Sequence, residues 1–207
     1  MKKTVLALAL AGIGTMAHAV SYNISNDQGG WLASVQAIGP TTFGTGTFTG
    51  VGCPPGVACD DVAVNGLPGV SFAQNGPGSA SYDGGLLNNL SASGYLEWTF
   101  ATPQNGWGGT FQMAQNNGLS FQAKDKNLGW IDVTIVGEGQ TLDGFLGFSS
   151  ADQFSGVRVS GLAGNATSYR MTDVSIAAAI PEPETYVLML AGLAALGFFA
   201  GRRKARA

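Results

Sequence analysis

The chain of 207 residues has 32 glycines, only 11% charged residues and a formal net charge of −3. A length of this order fits one domain with appendages, the glycines follow no collagen period, and 45% hydrophobic residues is too many for a disordered chain. The basic residues collect at the two ends (Lys2, Lys3, Arg202, Arg203, Lys204, Arg206), which leaves the middle acidic and argues against nucleic acid as a partner, because phosphate binding needs clustered Lys and Arg.

Residues 1–19 have the organisation of a secretory signal peptide. Lys2 and Lys3 form a positive n-region, a short apolar run follows, and Ala17-His18-Ala19 is a small-x-small cleavage site, so cleavage is expected after Ala19. His18 is the single histidine. With the signal removed, the chain has no imidazole, which excludes Ser-His and Cys-His catalysis and His-ligated metal sites.

Residues 20–176 are long enough to bury one core. Residues 41–49 place Thr45, Thr47 and Thr49 on one strand face. A flat threonine array can bind ice, but this strand is not repeated, and it reads as a Thr-rich edge strand. Cys53 and Cys59, the only cysteines, flank a Pro-Pro-Gly stretch that turns the chain. Export favours a disulfide between them, with a contribution of roughly 2 kcal/mol in the chain-entropy model.

Further along, residues 95–100 and 130–136 alternate with period two. Residues 110–115 and 119–124 look like a hairpin across Asn116-Asn117-Gly118, and residues 154–160 and 169–176 form the last two strands, with a turn at 162–167. No long segment has helical periodicity except at the two ends. The sum is an all-β domain, a jelly-roll-like β-sandwich.

Candidate chemistry in this domain is sparse. Glu97 and Glu138 are the glutamates that could pair for glycoside hydrolysis, but neither sits in a motif, and both read as strand or turn surface residues. Asp27, Asp60, Asp61, Asp83, Asp143, Asp152 and Asp173 lie in or beside loops that could offer oxygen ligands to Ca²⁺. No EF-hand pattern is present, so they read as solvated turn residues, and no metal or other cofactor is expected. Trp31, Trp98, Trp107, Trp130, Tyr82 and Tyr95 read mainly as core. Trp107, flanked by glycines, is expected to be exposed and is the candidate for glycan contact.

Residues 177–185 form a small-residue and Pro-Glu-Pro linker, 186–201 an uncharged apolar run, and 202–207 a basic tail. As a helix at ~1.5 Å per residue, the apolar run spans roughly 24 Å, a little short of the ~30 Å hydrocarbon core. Snorkelling of Arg202, Arg203 and Lys204 is expected to close the gap, and these residues with Arg206 form the basic stop-transfer cluster held in the cytoplasm. The expectation is one transmembrane helix with the β-domain outside. Pro181 and Pro183 keep the approach extended, and Glu182 stays solvated between them.

Pro181-Glu182-Pro183, the apolar run and the closing basic cluster together resemble the PEP-CTERM sorting signal. The resemblance covers residues 180–206. It implies an exported protein of a Gram-negative, exopolysaccharide-producing bacterium, held in the inner membrane by its tail, recognised near Pro181–Pro183 by an exosortase, and then cut and delivered to the cell surface or extracellular space. An ice-binding C-terminal label is also attached to such tails, and the tail itself carries no information about ice. Residues 105–111, 144–149, 154–159 and 172–176 are similar to the ectodomain that often precedes these tails and to lectin-like or carbohydrate-module sandwiches. The expected function is a non-catalytic surface or matrix protein associated with exopolysaccharide or biofilm. A carbohydrate-binding module is the alternative, and a secreted hydrolase or an ice-binding protein ranks lower.

Overall fold

The computed structural model describes residues 20–51, 62–76, 78–82, 85–90, 93–112, 118–137, 139–140, 142–162 and 167–180. Eleven strands and one helix follow in the order β1 (Asn23–Ser25), α1 (Gln28–Ile38), β2 (Thr41–Gly50), β3 (Val62–Asn65), β4 (Val70–Asn75), β5 (Gly78–Tyr82), β6 (Leu86–Leu90), β7 (Tyr95–Gln112), β8 (Leu119–Asp125), β9 (Gly129–Val136), β10 (Gly144–Gly161) and β11 (Thr167–Ala179). The expected all-β character holds.

All eleven strands hydrogen-bond into one continuous antiparallel sheet. The long strands β7 and β10 fold that sheet over on itself. The early part of β7 pairs with β4 on one side and the late part of β10 on the other; its late part pairs with β11 and the early part of β10. One layer is therefore β3-β2-β11-β7-β10-β1, with β5 and β6 continuing beside β11, and the other is β4-β7-β10-β8-β9. The paired register of β7 and β10 shifts between Ser149 and Gly156, where both strands pass from one layer to the other.

Strand alternation fills the space between the layers. Leu96, Trp98 and Phe100 from β7 point inward, as do Phe121 and Ala123 from β8 and Val157 and Val159 from β10. They meet Trp107, Phe111, Phe148 and Met171 of the opposite layer. The ring centroids of Trp107 and Phe121 lie 6.1 Å apart, and those of Phe111 and Phe121 5.8 Å apart.

Three expectations are corrected. Residues 110–112, the described part of the first expected hairpin strand, do not pair with 119–124: the end of β7 bonds to β10 and β11, whereas β8 bonds to β9 and the other end of β10. The chain changes layers between β7 and β8, so Phe111 and Phe121 meet across the core, their rings edge to face, instead of lying side by side on one sheet. The last two strands are not neighbours either, because β7 lies between β10 and β11. Finally, the Ala177-Ala178-Ala179 connector is sheet. These residues pair with Phe43, Thr42 and Thr41, and the Ile180 N–H donates to the Pro40 carbonyl at 2.9 Å. Alanine is small enough here for Ala177 to sit fully buried under α1.

Helix α1 was not evident from periodicity. Asp27 caps it, its carboxylate accepting from the Gly30 N–H at 2.7 Å. Trp31 and Val35, one turn apart, lie on the outer surface of the first layer, and the Trp31 indole N–H donates to the Phe148 carbonyl at 3.0 Å. Glycines pave that surface. A Cβ at Gly106 would stand 2.8 Å from Val35 and 3.0 Å from Trp31, and one at Gly147 2.8 Å from Trp31.

Candidate functional site

The glycine pavement explains why Trp107 is not the exposed residue its sequence context suggested. Gly106 and Gly108 leave space on the outer face for α1 and Phe145, and Trp107 points the opposite way. Its indole is 0% exposed and packs against Trp98, Phe121 and Phe148. A glycan at the surface does not reach it. Trp31 and Trp98 are equally buried.

Trp130 is the one tryptophan of the four that is only half-buried. It stands on the outer face of the β4-β7-β10-β8-β9 layer, which no described element covers. Register places three rows across this face. Asn75, Tyr95, Ser160, Ser120 and Ile135 form the first; Ala73, Glu97, Arg158, Gln122 and Asp132 the second; Ser71, Thr99 and Gly156 lead to Lys124 and Trp130 in the third. Ile135 faces outward because a register shift between Phe121 and Gln122 leaves Val133 without a partner and reverses the alternation of β9 beyond it.

Arg158 is the hub of this face. Its Nε donates to Glu97 Oε2 at 2.8 Å. Its guanidinium carbon lies 3.8 Å from the centroid of the Trp130 ring and 4.3 Å from that of Tyr95. Beside it, the Gln122 amide donates to Asp132 Oδ1 at 2.8 Å, and Lys124 Nζ sits 5.7 Å from the Trp130 ring. Gly156 makes room for this arrangement, because a Cβ there would stand 3.2 Å from the edge of the Trp130 indole. Between Tyr95, Gln122, Arg158 and Ser160 is a shallow depression of about 300 Å³. The signal in the sequence was the shared parity of Trp130 with Asp132, opposite to Ile131 and Val133.

The other sequence candidates are dispersed. Glu97 is occupied by Arg158, and Glu138 lies outside the described residues. Asp27 caps α1, Asp173 accepts from Thr110 and Thr172, and Asp60, Asp61 and Asp83 lie outside the described residues. Among the described residues, no three His, Cys, Asp or Glu side chains cluster as metal ligands. Thr45 and Thr47 are exposed on one face of β2 and Thr49 is half-buried, and β2 is flanked by β11 and, along part of its length, by β3. Burial and the carboxylates of Asp125 and Asp152 push the Tyr22 phenol up to about 12. Burial alone raises Tyr169, which is enclosed in the core.

Cys53 and Cys59, the signal peptide, Pro181, Glu182, Pro183, the apolar run 186–201 and Arg202, Arg203, Lys204 and Arg206 all lie outside the described residues. Among those described, no helix is long and apolar enough to cross a membrane. Pro181 lies two residues after Ala179, the last residue of β11.

Residues 179–204 match the PEP-CTERM protein-sorting motif, so the tail is a sorting signal of that kind. No match to a curated protein was found. Among solved structures, the chain is similar to a carbohydrate-binding module of family 29, at 10% identity over 68% of this chain and 91% of that one, with a TM-score of 0.48. Variants of a family 29 module complexed with cellulohexaose and with mannohexaose align with TM-scores of 0.48 and 0.46, each at 10% identity over 68% of this chain and over 93% and 94% of theirs.

Proposed function

We propose that this is an exported, non-catalytic protein whose β-domain is delivered to the cell surface or extracellular matrix through its C-terminal tail. The tail holds the chain in the inner membrane until an exosortase recognises Pro181-Glu182-Pro183, and the released domain associates with exopolysaccharide. The observation that carries this reading is the sorting motif at 179–204, which starts where the folded sheet ends. Because β11 closes at Ala179 and Ile180 is already bonded to Pro40, a cut beyond Ile180 leaves the domain intact.

Intact mass and terminal peptide mapping of the protein from its native host test the proposal. A form beginning at Val20 and ending within 181–184 supports it, and deletion of Pro181–Pro183 is expected to abolish that form. A form retaining residues 186–207 overturns processing and leaves a simple membrane anchor.

A second reading, a carbohydrate-binding module, is favoured by the uncovered polar and aromatic face around Arg158. A hydrolase using Glu97 ranks behind it, because that carboxylate is held by Arg158 at 2.8 Å and Glu138 brings no recognisable motif.

A further inference from the structure

We propose that the outer face of the β4-β7-β10-β8-β9 layer is a platform for an extended, hydroxyl-rich polysaccharide chain, with the parts of the half-buried Trp130 and Tyr95 rings not stacked on Arg158 supplying ring surface and Arg158, Glu97, Gln122 and Asp132 supplying hydrogen bonds. This rests on the carbohydrate-binding reading and assigns it a site.

Three observations point to such a ligand. The two layers are treated differently on their outer sides: the first is roofed by α1, whereas no described element covers the second. Five strands at ~4.8 Å spacing give an open face about 19 Å across, which suits a chain lying along the surface better than a small molecule sunk in a cavity. Its depression between Tyr95, Gln122, Arg158 and Ser160 is shallow.

The second observation is chemical. Beyond Ala73 at its edge, the central row is made of planar, two-pronged groups: a carboxylate, a guanidinium, an amide and a second carboxylate. Planar pairs of donors or acceptors match pairs of adjacent hydroxyls. Short Ser71, Thr99, Ser120 and Ser160 flank the row and keep it accessible. Charge alternates along it, so Arg158 faces Glu97 and no net positive patch exists to select phosphates.

The third observation is preorganisation. Arg158 is fixed from three sides, by Glu97, Trp130 and Tyr95, and Gln122 is tied to Asp132. Side chains already held in place lose little freedom on binding. Stability gives weak reason for the cluster, because part-exposed ion pairs contribute about 0–1 kcal/mol.

Trp130 also provides the readout. The other three tryptophans are buried to 1% exposure or less, so collisional quenching of tryptophan fluorescence reports on Trp130. The full chain is titrated with exopolysaccharide purified from the host culture and, separately, with soluble β-glucan and glucomannan. Binding is followed by retention in polysaccharide-containing native gels and by protection from acrylamide quenching.

Retention by at least one polysaccharide, protection of Trp130, and a loss of affinity of about tenfold or more in Trp130→Ala and Arg158→Gln are expected. Thermal melting checks that each variant is folded; should Arg158→Gln fail, Gln122→Ala combined with Asp132→Ala removes peripheral hydrogen bonds from the same row. Retention undiminished in folded variants overturns this face and leaves the carbohydrate reading standing. No retention of the parent chain by any of these polysaccharides overturns both.

Discussion

The indole rings of Trp98 and Trp107 lie 5.4 Å apart in the core although both belong to β7. Nine residues of straight strand would separate them by about 30 Å. The contact exists because β7 crosses from one layer to the other between them, and β10 does the same alongside, which brings Phe148 and Phe154 to 5.4 Å. The core is thus sealed by the same two strands that join its walls.

Trp107→Ala is therefore a stability mutation. Removing a fully buried indole at the centre of the aromatic cluster is expected to cost about 3–5 kcal/mol, read as a lower midpoint in urea denaturation. Among molecules that remain folded, glycan retention should be unchanged. Full stability with lost retention would mean that Trp107 reaches the surface after all.

Gly106→Ala tests the packing of α1. The added methyl would stand 2.8 Å from Val35 and 3.2 Å from Ala177, neither of which is the far end of a flexible side chain. The cost expected is about 1–3 kcal/mol, with faster proteolysis within α1 as the local sign of a lifted helix. An unchanged midpoint would show that α1 shifts freely over the sheet.

The strands were legible where alternation was clean, as at Leu96, Trp98 and Phe100. Their pairing was not, because inward-facing residues look the same whichever layer they come from, and neighbouring strands in sequence here often lie in different layers. Helix α1 was obscured by Gly29 and Gly30, although Trp31 and Val35 had the right spacing and Asp27 the right capping chemistry. Trp107 was misread for a related reason: glycines marked a close approach by other residues on the opposite face, which in sequence looks the same as a loop. The surface cluster around Arg158 joins residues from β7, β8, β9 and β10, and no local motif joins them.

Stability should fall in alkali. An ordinary tyrosine in the unfolded chain ionises near pH ~10. In the folded chain Tyr22 holds its proton to about 12, and Tyr169 is raised in the same direction by burial. Between those values the unfolded state binds fewer protons than the folded one, so the stability present below pH ~10 is lost as pH rises towards the folded values. Urea midpoints measured from about pH 8 upward should decline beyond pH ~10, and Tyr22→Phe should flatten the decline. Tyr169→Phe is expected to leave neutral-pH stability unchanged or raise it by up to about 1 kcal/mol, because the Tyr169 hydroxyl has no partner among the described residues.

The boundary between domain and sorting tail is sharp enough to test by truncation. A chain ending at Ile180 keeps all of β11, the bond from the Ile180 N–H to Pro40 and the burial of Ala177 beneath α1. It is expected to match the full chain within about 0.5 kcal/mol in urea denaturation. A chain ending at Ser175 loses the pairing of residues 176–179 with β2, the packing of Ile176 on the main core and the Ala177 contact with Trp31 and Val35. That loss removes a wall of the sheet together with part of the seat of α1, and about 2–5 kcal/mol is expected. Equal stability of the two truncations would move the end of the domain back to residue 175 and restore the alanines to the role of a connector. A chain ending at Ile180 that is much weaker than the full one would make the tail part of the fold, and a protease cutting within 181–184 would then release an unstable domain.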